Sequence, residues 1–108
     1  MVYSLCMQVL HHRQMLNFLE RHGAPQTLKA DMIICYAHQV PLGGIWLVSG
    51  AIRTHFEKKN SSDYVREGLY LFDEFSRNQR LNFSVKILKG SVFWPVTRSV
   101  LEEFLHHA

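Results

Sequence analysis

The sequence has little of what marks a secreted or membrane-spanning protein. Its two cysteines, Cys6 and Cys35, form no CxxC pair and lie in apolar surroundings, so we expect two reduced, buried thiols. No apolar run reaches the length of a membrane-spanning helix, and the N-terminus lacks the charged start and small-residue cleavage site of a signal peptide. These absences predict a cytoplasmic protein without a membrane partner.

Clustered charge is also missing. The 12 basic and 9 acidic residues give a net charge of +3, but no more than two like charges are adjacent, as at Lys58-Lys59 and Glu102-Glu103. Nucleic acids and anionic membranes are bound by clustered lysines and arginines, which neutralise phosphates. The sequence therefore predicts neither kind of partner.

What the chain does have is a helix, a series of short strands and a second helix. Apolar residues recur at helical spacing over residues 4–22, and Gly23 and Pro25 then stop the helix. Short apolar runs separated by turn signals follow, which is typical of a barrel or jelly roll. The predicted strands are Met32 to Tyr36, Ile45 to Val48, Ala51 to Phe56, Phe83 to Leu88 and Val92 to Val96.

The closing segment has a capping-box pattern, Ser99-Val-Leu-Glu102, which predicts a helix that starts there. We therefore expect one mainly β domain over the 108 residues. Residues 1–23 contain the N-terminal helix and 98–108 the C-terminal helix. Residues 26–97 form a β-roll, or double-stranded β-helix of the jelly-roll type, which the two helices flank.

A glycine interrupts the longest apolar stretch, Gly44-Ile-Trp-Leu-Val-Ser-Gly-Ala-Ile-Arg53. A glycine inside a strand pattern marks either a bulge or a tight bend with close backbone approach. Gly50 is thus predicted either to turn one long run into two strands at a corner of a rolled sheet or to form a bulge.

These elements and their order resemble the cyclic nucleotide-binding domain family, whose fold is a β-roll flanked by helices. Gly44 to Arg53 is similar to the family's strand, glycine corner, strand signature. Glu67-Gly-Leu-Tyr-Leu-Phe-Asp-Glu74 is similar to the Gly-x-x-Phe-Gly-Glu start of its phosphate-binding cassette, and Phe83 to Val96 resembles its last two strands. The resemblance covers nearly the whole chain.

The resemblance implies a cyclic nucleotide as ligand, whose phosphate binds helix N-terminal amides and an arginine. Glu74 would accept the ribose hydroxyl, and Gly68 would form the turn before it. The ligand-binding positions that it implies are Gly68, Phe72, Asp73, Glu74, Arg77, Arg80, Asn82, Phe83 and Ser84, with Gly44 and Gly50 as structural glycines.

Two departures from the family pattern predict a degenerate pocket. Asp73 stands where the family has a glycine, and Asn82-Phe83 stands where it has an Arg-Ser or Arg-Thr pair. An added negative charge and a lost charge-assisted hydrogen bond both disfavour a phosphate. If Phe72, Phe75 and Phe83 are exposed together, they form an apolar patch for a protein partner.

The pocket would instead remain functional if Arg77 or Arg80 took the place of the missing arginine and bound the phosphate.

The residues show no catalytic or metal centre. Adjacent histidines on a helix, such as His11-His12, point about 100° apart and do not chelate one ion. Cys35 has no evident base, and Ser49 lacks a nucleophile elbow. A cupin-type metalloenzyme is disfavoured because the His-x-His pattern is absent.

The sequence thus predicts a non-catalytic signalling or adaptor domain that has no cofactor and binds a protein. The alternative is a genuine sensor of cAMP, cGMP or a cyclic dinucleotide. Because the chain ends at Ala108, soon after the closing helix, we expect no DNA-binding domain.

Overall fold

The computed structural model describes residues 3–4, 6–56, 61–72 and 77–107. Along the chain, one helix precedes and one helix follows all of the short strands except the first. In chain order the elements are β1 (Tyr3–Ser4), α1 (Cys6–Arg21), β2 (Gln26–Thr27), β3 (Met32–Cys35), β4 (Gly43–Ser49), β5 (Ile52–Phe56), β6 (Ser61–Tyr64), β7 (Gly68–Phe72), β8 (Phe83–Ile87), β9 (Val92–Thr97) and α2 (Arg98–His107).

The strands form two antiparallel sheets, so the prediction of a mainly β chain is confirmed. One sheet has five strands in the order β1-β7-β4-β9-β2, and the other has four in the order β3-β8-β5-β6. The pairs are nested: β2 pairs with β9, β3 with β8, β4 with β7 and β5 with β6. Successive nested pairs alternate between the two sheets, so the chain crosses from one sheet to the other after β2, β3, β4, β6, β7 and β8.

Apolar side chains fill two separate layers. The first layer lies between the sheets and includes Leu47, Phe83 and Phe93, all almost fully buried. The second lies between the five-stranded sheet and the helices, where Phe18 of α1 and Phe104 of α2 pack with Trp46 of β4. The five-stranded sheet is therefore covered on both faces, which is why every residue of β7 is buried.

The outer face of the four-stranded sheet is polar. Arg53 of β5 forms a two-point ion pair with Asp63 of β6, with Nε to Oδ1 at 2.7 Å and the second nitrogen to Oδ2 at 2.9 Å. The hydrogen bond from Arg53 holds the pKa of Asp63 below its usual range. The Nζ of Lys86, in β8, lies 3.6 Å from the Oδ2 of Asp31. Exposed pairs of this kind contribute little stability, so this face is a solvated surface.

Gly50 lies where the chain leaves β4 in one sheet and enters β5 in the other. Its φ of +98° is in the left-handed region that favours glycine. A Cβ here would overlap the Oγ of Ser91 and lie 2.5 Å from the Ser91 Cα. Gly50 is therefore at a corner between the sheets, and the register of β4 against β9 shifts before it, between Leu47 and Ser49.

The C-terminal helix has its N-cap residue two positions before the serine of the capping-box pattern. It begins at Arg98, and the Oγ1 of Thr97 accepts the backbone N–H of Val100 at 3.2 Å. Thr97, rather than Ser99, is therefore the N-cap residue, because it is the last residue of β9 and its side chain reaches the first turn. In the described part of the chain, no helix combines the length and hydropathy needed to cross a bilayer.

Candidate functional site

The candidate site lies at one end of the two sheets, where β4 begins and β7 and β9 end. Two chain segments meet there, residues 36–42 between β3 and β4 and residues 77–82 before β8. His38 N–H donates to the carbonyl of Leu81 at 2.7 Å, and Leu81 N–H donates to the carbonyl of Gln39 at 2.9 Å. We call this end the cassette end, because the predicted phosphate-binding cassette leads into it.

The structure separates the first cassette residue from the rest. Gly68 is buried at the start of β7, opposite Leu47 of β4, with a φ of +141°. The five residues of β7 then span about 13 Å, so Gly68 lies at the far end of the strand from residues 77–82. Asp73 and Glu74, the predicted phosphate neighbour and ribose acceptor, lie outside the described residues, as does Phe75.

Three of the predicted polar residues are exposed at the cassette end: Arg77, Arg80 and Asn82. Among the described residues, neither arginine takes part in an ion pair. Ser84 is half-buried and pairs in register with His55 on the outer face of the four-stranded sheet. The structure therefore places the two arginines at the cassette end and directs Ser84 away from the sheet interior.

The two described phenylalanines of the predicted patch are not exposed. Phe72 is 2% and Phe83 0% exposed, and both belong to the layer between the sheets. Their ring centroids lie 5.9 Å apart, and Phe56 lies 5.1 Å from Phe83. The prediction of an exposed patch is wrong for this pair, because alternation along β7 and β8 points both rings inward.

The interior next to these rings is packed and has its polar groups bonded within the chain. The Tyr70 hydroxyl donates to the carbonyl of Arg66 at 2.6 Å, and its ring lies 6.1 Å from that of Tyr64. The buried Thr54 hydroxyl lies 3.5 Å from the carbonyl of Ser62. A sugar phosphate placed here would have to displace aromatic rings and lose its water without gaining a cation.

A cavity of about 240 Å³ opens at the cassette end, on the side of β3 and β9. Its walls include Met32 and Ile34 of β3 and Phe93 of β9. The described lining carries no charged side chain; its polar side chains are Gln26, Thr97 and the thiol of Cys35. Burial raises the pKa of that thiol, which keeps it protonated and unreactive at neutral pH.

One large apolar side chain of the cavity lining is exposed: Leu42 is 87% exposed. Tyr36, in the same segment 36–42, is 57% exposed, and Ile33, on the outer face of β3, is 44% exposed. The sequence signal for Leu42 is its position between Pro41 and two glycines, an apolar residue in a turn pattern whose members are usually polar.

Two side-chain arrangements that could carry chemistry are metal-binding clusters and histidine–hydroxyl pairs. Within the described residues, no group of three His, Cys, Asp or Glu side chains could hold a metal ion. The Nδ1 of His55 lies 2.9 Å from the Oγ of Ser61, but both residues are exposed on a polar sheet face. This pair therefore lacks the enclosed setting in which acid–base chemistry is tuned.

No family model matches the chain, and the comparison with curated proteins gives no match.

Proposed function

We propose that this chain is a non-catalytic domain with the β-roll arrangement of cyclic nucleotide-binding domains, and that it acts in the cytoplasm as a signalling adaptor by binding another protein. The nested strand pairs, which alternate between two sheets, support a jelly-roll arrangement. The position of α1 before β2–β9 and of α2 after them supports the flanking helices of that family.

The observation that carries the proposal is the exposure of Leu42 and Tyr36 at the same end of the fold as Arg77 and Arg80, which form no ion pair with a described residue. Segments 36–42 and 77–82 are hydrogen-bonded to each other, so their exposed side chains belong to one surface. Neither segment contains an acidic residue, whereas Arg77 and Arg80 are exposed without an ion pair to any described residue. A partner segment that carries apolar and acidic side chains is complementary to this surface.

The packed interior favours this function over nucleotide binding. Phe56, Phe72 and Phe83 occupy the space between the sheets next to the predicted cassette. A buried phosphate needs a paired cation, and both described arginines at this end project to solvent. The surface, rather than the interior, thus provides the available contacts.

A photo-crosslinking experiment tests the proposed surface. A benzoylphenylalanine is placed at Leu42, or as a control at Val65, which is 69% exposed in the loop between β6 and β7. We expect one crosslinked species of defined mass in the native lysate from position 42 and not from position 65. Adding Arg77→Glu and Arg80→Glu is expected to lower its yield by about tenfold or more, since charge complementarity guides the encounter.

The proposal fails if positions 42 and 65 give the same products, or if charge reversal leaves the yield unchanged. Circular dichroism and thermal unfolding of each variant show whether it is folded, since all four positions are exposed. A crosslinked nucleic acid instead of a protein would also contradict it.

The second candidate is the cyclic nucleotide sensor, and the exposure of Arg77 and Arg80 at the cassette end favours it. Because Arg77 and Arg80 form no ion pair with a described residue, either one is available to a phosphate at the cassette end. In calorimetric titrations with cAMP, cGMP and cyclic dinucleotides, we expect no saturable heat up to about 1 mM. Saturable binding would favour the sensor if Arg77→Ala, Arg80→Ala or Glu74→Ala removed it and Arg66→Ala, in the β6–β7 loop, did not.

A further inference from the structure

We propose that the cavity beside β3 and β9 is a binding site for a small, neutral, mostly apolar molecule about the size of indole. This proposal does not depend on the protein-binding surface proposed above, although Leu42 belongs to both. Its walls come mainly from β3, β4 and β9, and of the predicted cassette residues that the structure describes only Phe72 lines it.

The size of the cavity sets the size of the ligand. Its volume is about 240 Å³. A cavity of about 150 Å³ lined by aliphatic and phenyl side chains stays dry and takes up benzene, which has six heavy atoms. In proportion, this cavity holds a molecule of about nine or ten heavy atoms. Indole, with nine, is of this size, whereas a nucleotide is more than twice as large.

The lining sets the chemistry of the ligand. Ile34, Phe93 and Met32 present apolar walls, and no described lining residue is charged. An ion in such a site would lose its hydration without gaining a counter-ion, so the ligand is neutral. The polar side chains Gln26 and Thr97 of the lining are exposed. A ligand would therefore place its one or two hydrogen-bonding groups at the solvent side of the cavity, near these side chains.

Each wall is held by strand pairing within its own sheet, β3 with β8 and β4 with β9. At the edge of the cavity, Gly43 of β4 packs so closely on β9 that a Cβ would overlap the carbonyl oxygen of Val96 and lie 2.9 Å from the Thr97 Cα. Strands β4 and β9 pair in register from Gly43 to Leu47. An unfilled cavity with fixed walls loses dispersion contacts, which a ligand of matching size restores.

Methyl NMR with indole tests this site. The chain contains five isoleucines, so labelling their δ1 methyl groups gives five reporters. Ile34 and Ile45 line the cavity, Ile52 and Ile87 lie elsewhere in the inter-sheet core, and Ile33 is on the outer face of β3. We expect saturable shifts at Ile34 and Ile45 and none at the other three. Benzoate, which has the same number of heavy atoms but carries a charge, should leave all five unchanged.

A matched pair of variants separates the cavity from the rest of the strand. Ile34→Phe fills the cavity and should abolish the indole shift at Ile45, whereas Ile33→Phe makes the same change on the opposite face and should preserve it. The proposal is overturned if wild type shows no saturable shift up to the solubility of indole, if all five methyls respond alike, or if folded Ile34→Phe still binds. Should Ile34→Phe not fold, the pattern of the five wild-type methyls decides.

Discussion

The substitution Gly50→Ala is expected to destabilise the protein by about 2–5 kcal/mol, and Gly90→Ala by only about 1–2 kcal/mol. Both glycines have a left-handed φ, +98° and +84°, so an alanine costs backbone strain at either position. A Cβ at Gly90 meets nothing within 4 Å, whereas one at Gly50 lies 2.5 Å from the Ser91 Cα. Chemical denaturation, with the midpoint and slope fitted for each variant, measures the difference.

The comparison isolates the close approach at the corner, because the chemical change and the backbone region are the same in both variants. The Ser91 hydroxyl also accepts the Ala51 N–H at 3.0 Å, so a displaced corner strains a buried hydrogen bond as well. Equal losses at Gly50 and Gly90 would show that φ alone, and not the packing of the corner on Ser91, requires the glycine.

The corner was predictable from sequence because its cause is local. A glycine inside an apolar run signals a bend, and the runs on either side predicted strands that the structure places at β4 and β5. The polar strand β6, Ser61-Ser62-Asp63-Tyr64, was not predictable in the same way. Its composition is that of a turn, and its partners, such as Arg53 opposite Asp63, are set by the fold.

The positions of the site residues were harder to predict than the corner at Gly50, because they depend on how distant parts of the chain pack together. The uninterrupted run without charged side chains from Gly68 to Phe72 is typical of a strand buried on both faces. The resemblance, however, assigned this run to a ligand cassette. With that assignment, Phe72 and Phe83 were expected at an exposed patch, whereas the two sheets bury both side chains. The cavity and the exposure of Leu42 arise from how two sheets meet at one end, which no local pattern encodes.

The substitution Phe83→Ala is expected to destabilise the protein by about 3–5 kcal/mol, the usual cost of removing a buried aromatic ring. Phe83 is fully buried, and its ring packs against those of Phe56 and Phe72. Ile33→Ala, in the neighbouring strand but on the exposed face, should cost less than about 1 kcal/mol. Urea unfolding of the two variants beside the wild type gives both values.

This difference bears on function, because a core and a ligand pocket respond differently to the loss of a ring. If the interior beside the predicted cassette is a packed core, the hole left by Phe83→Ala has apolar walls and no cation, and cyclic nucleotides should still not bind the folded variant. A loss below about 1 kcal/mol would instead mean that the ring is not part of a tight core. Saturable cAMP binding by that variant would then favour the nucleotide sensor over the protein-binding adaptor.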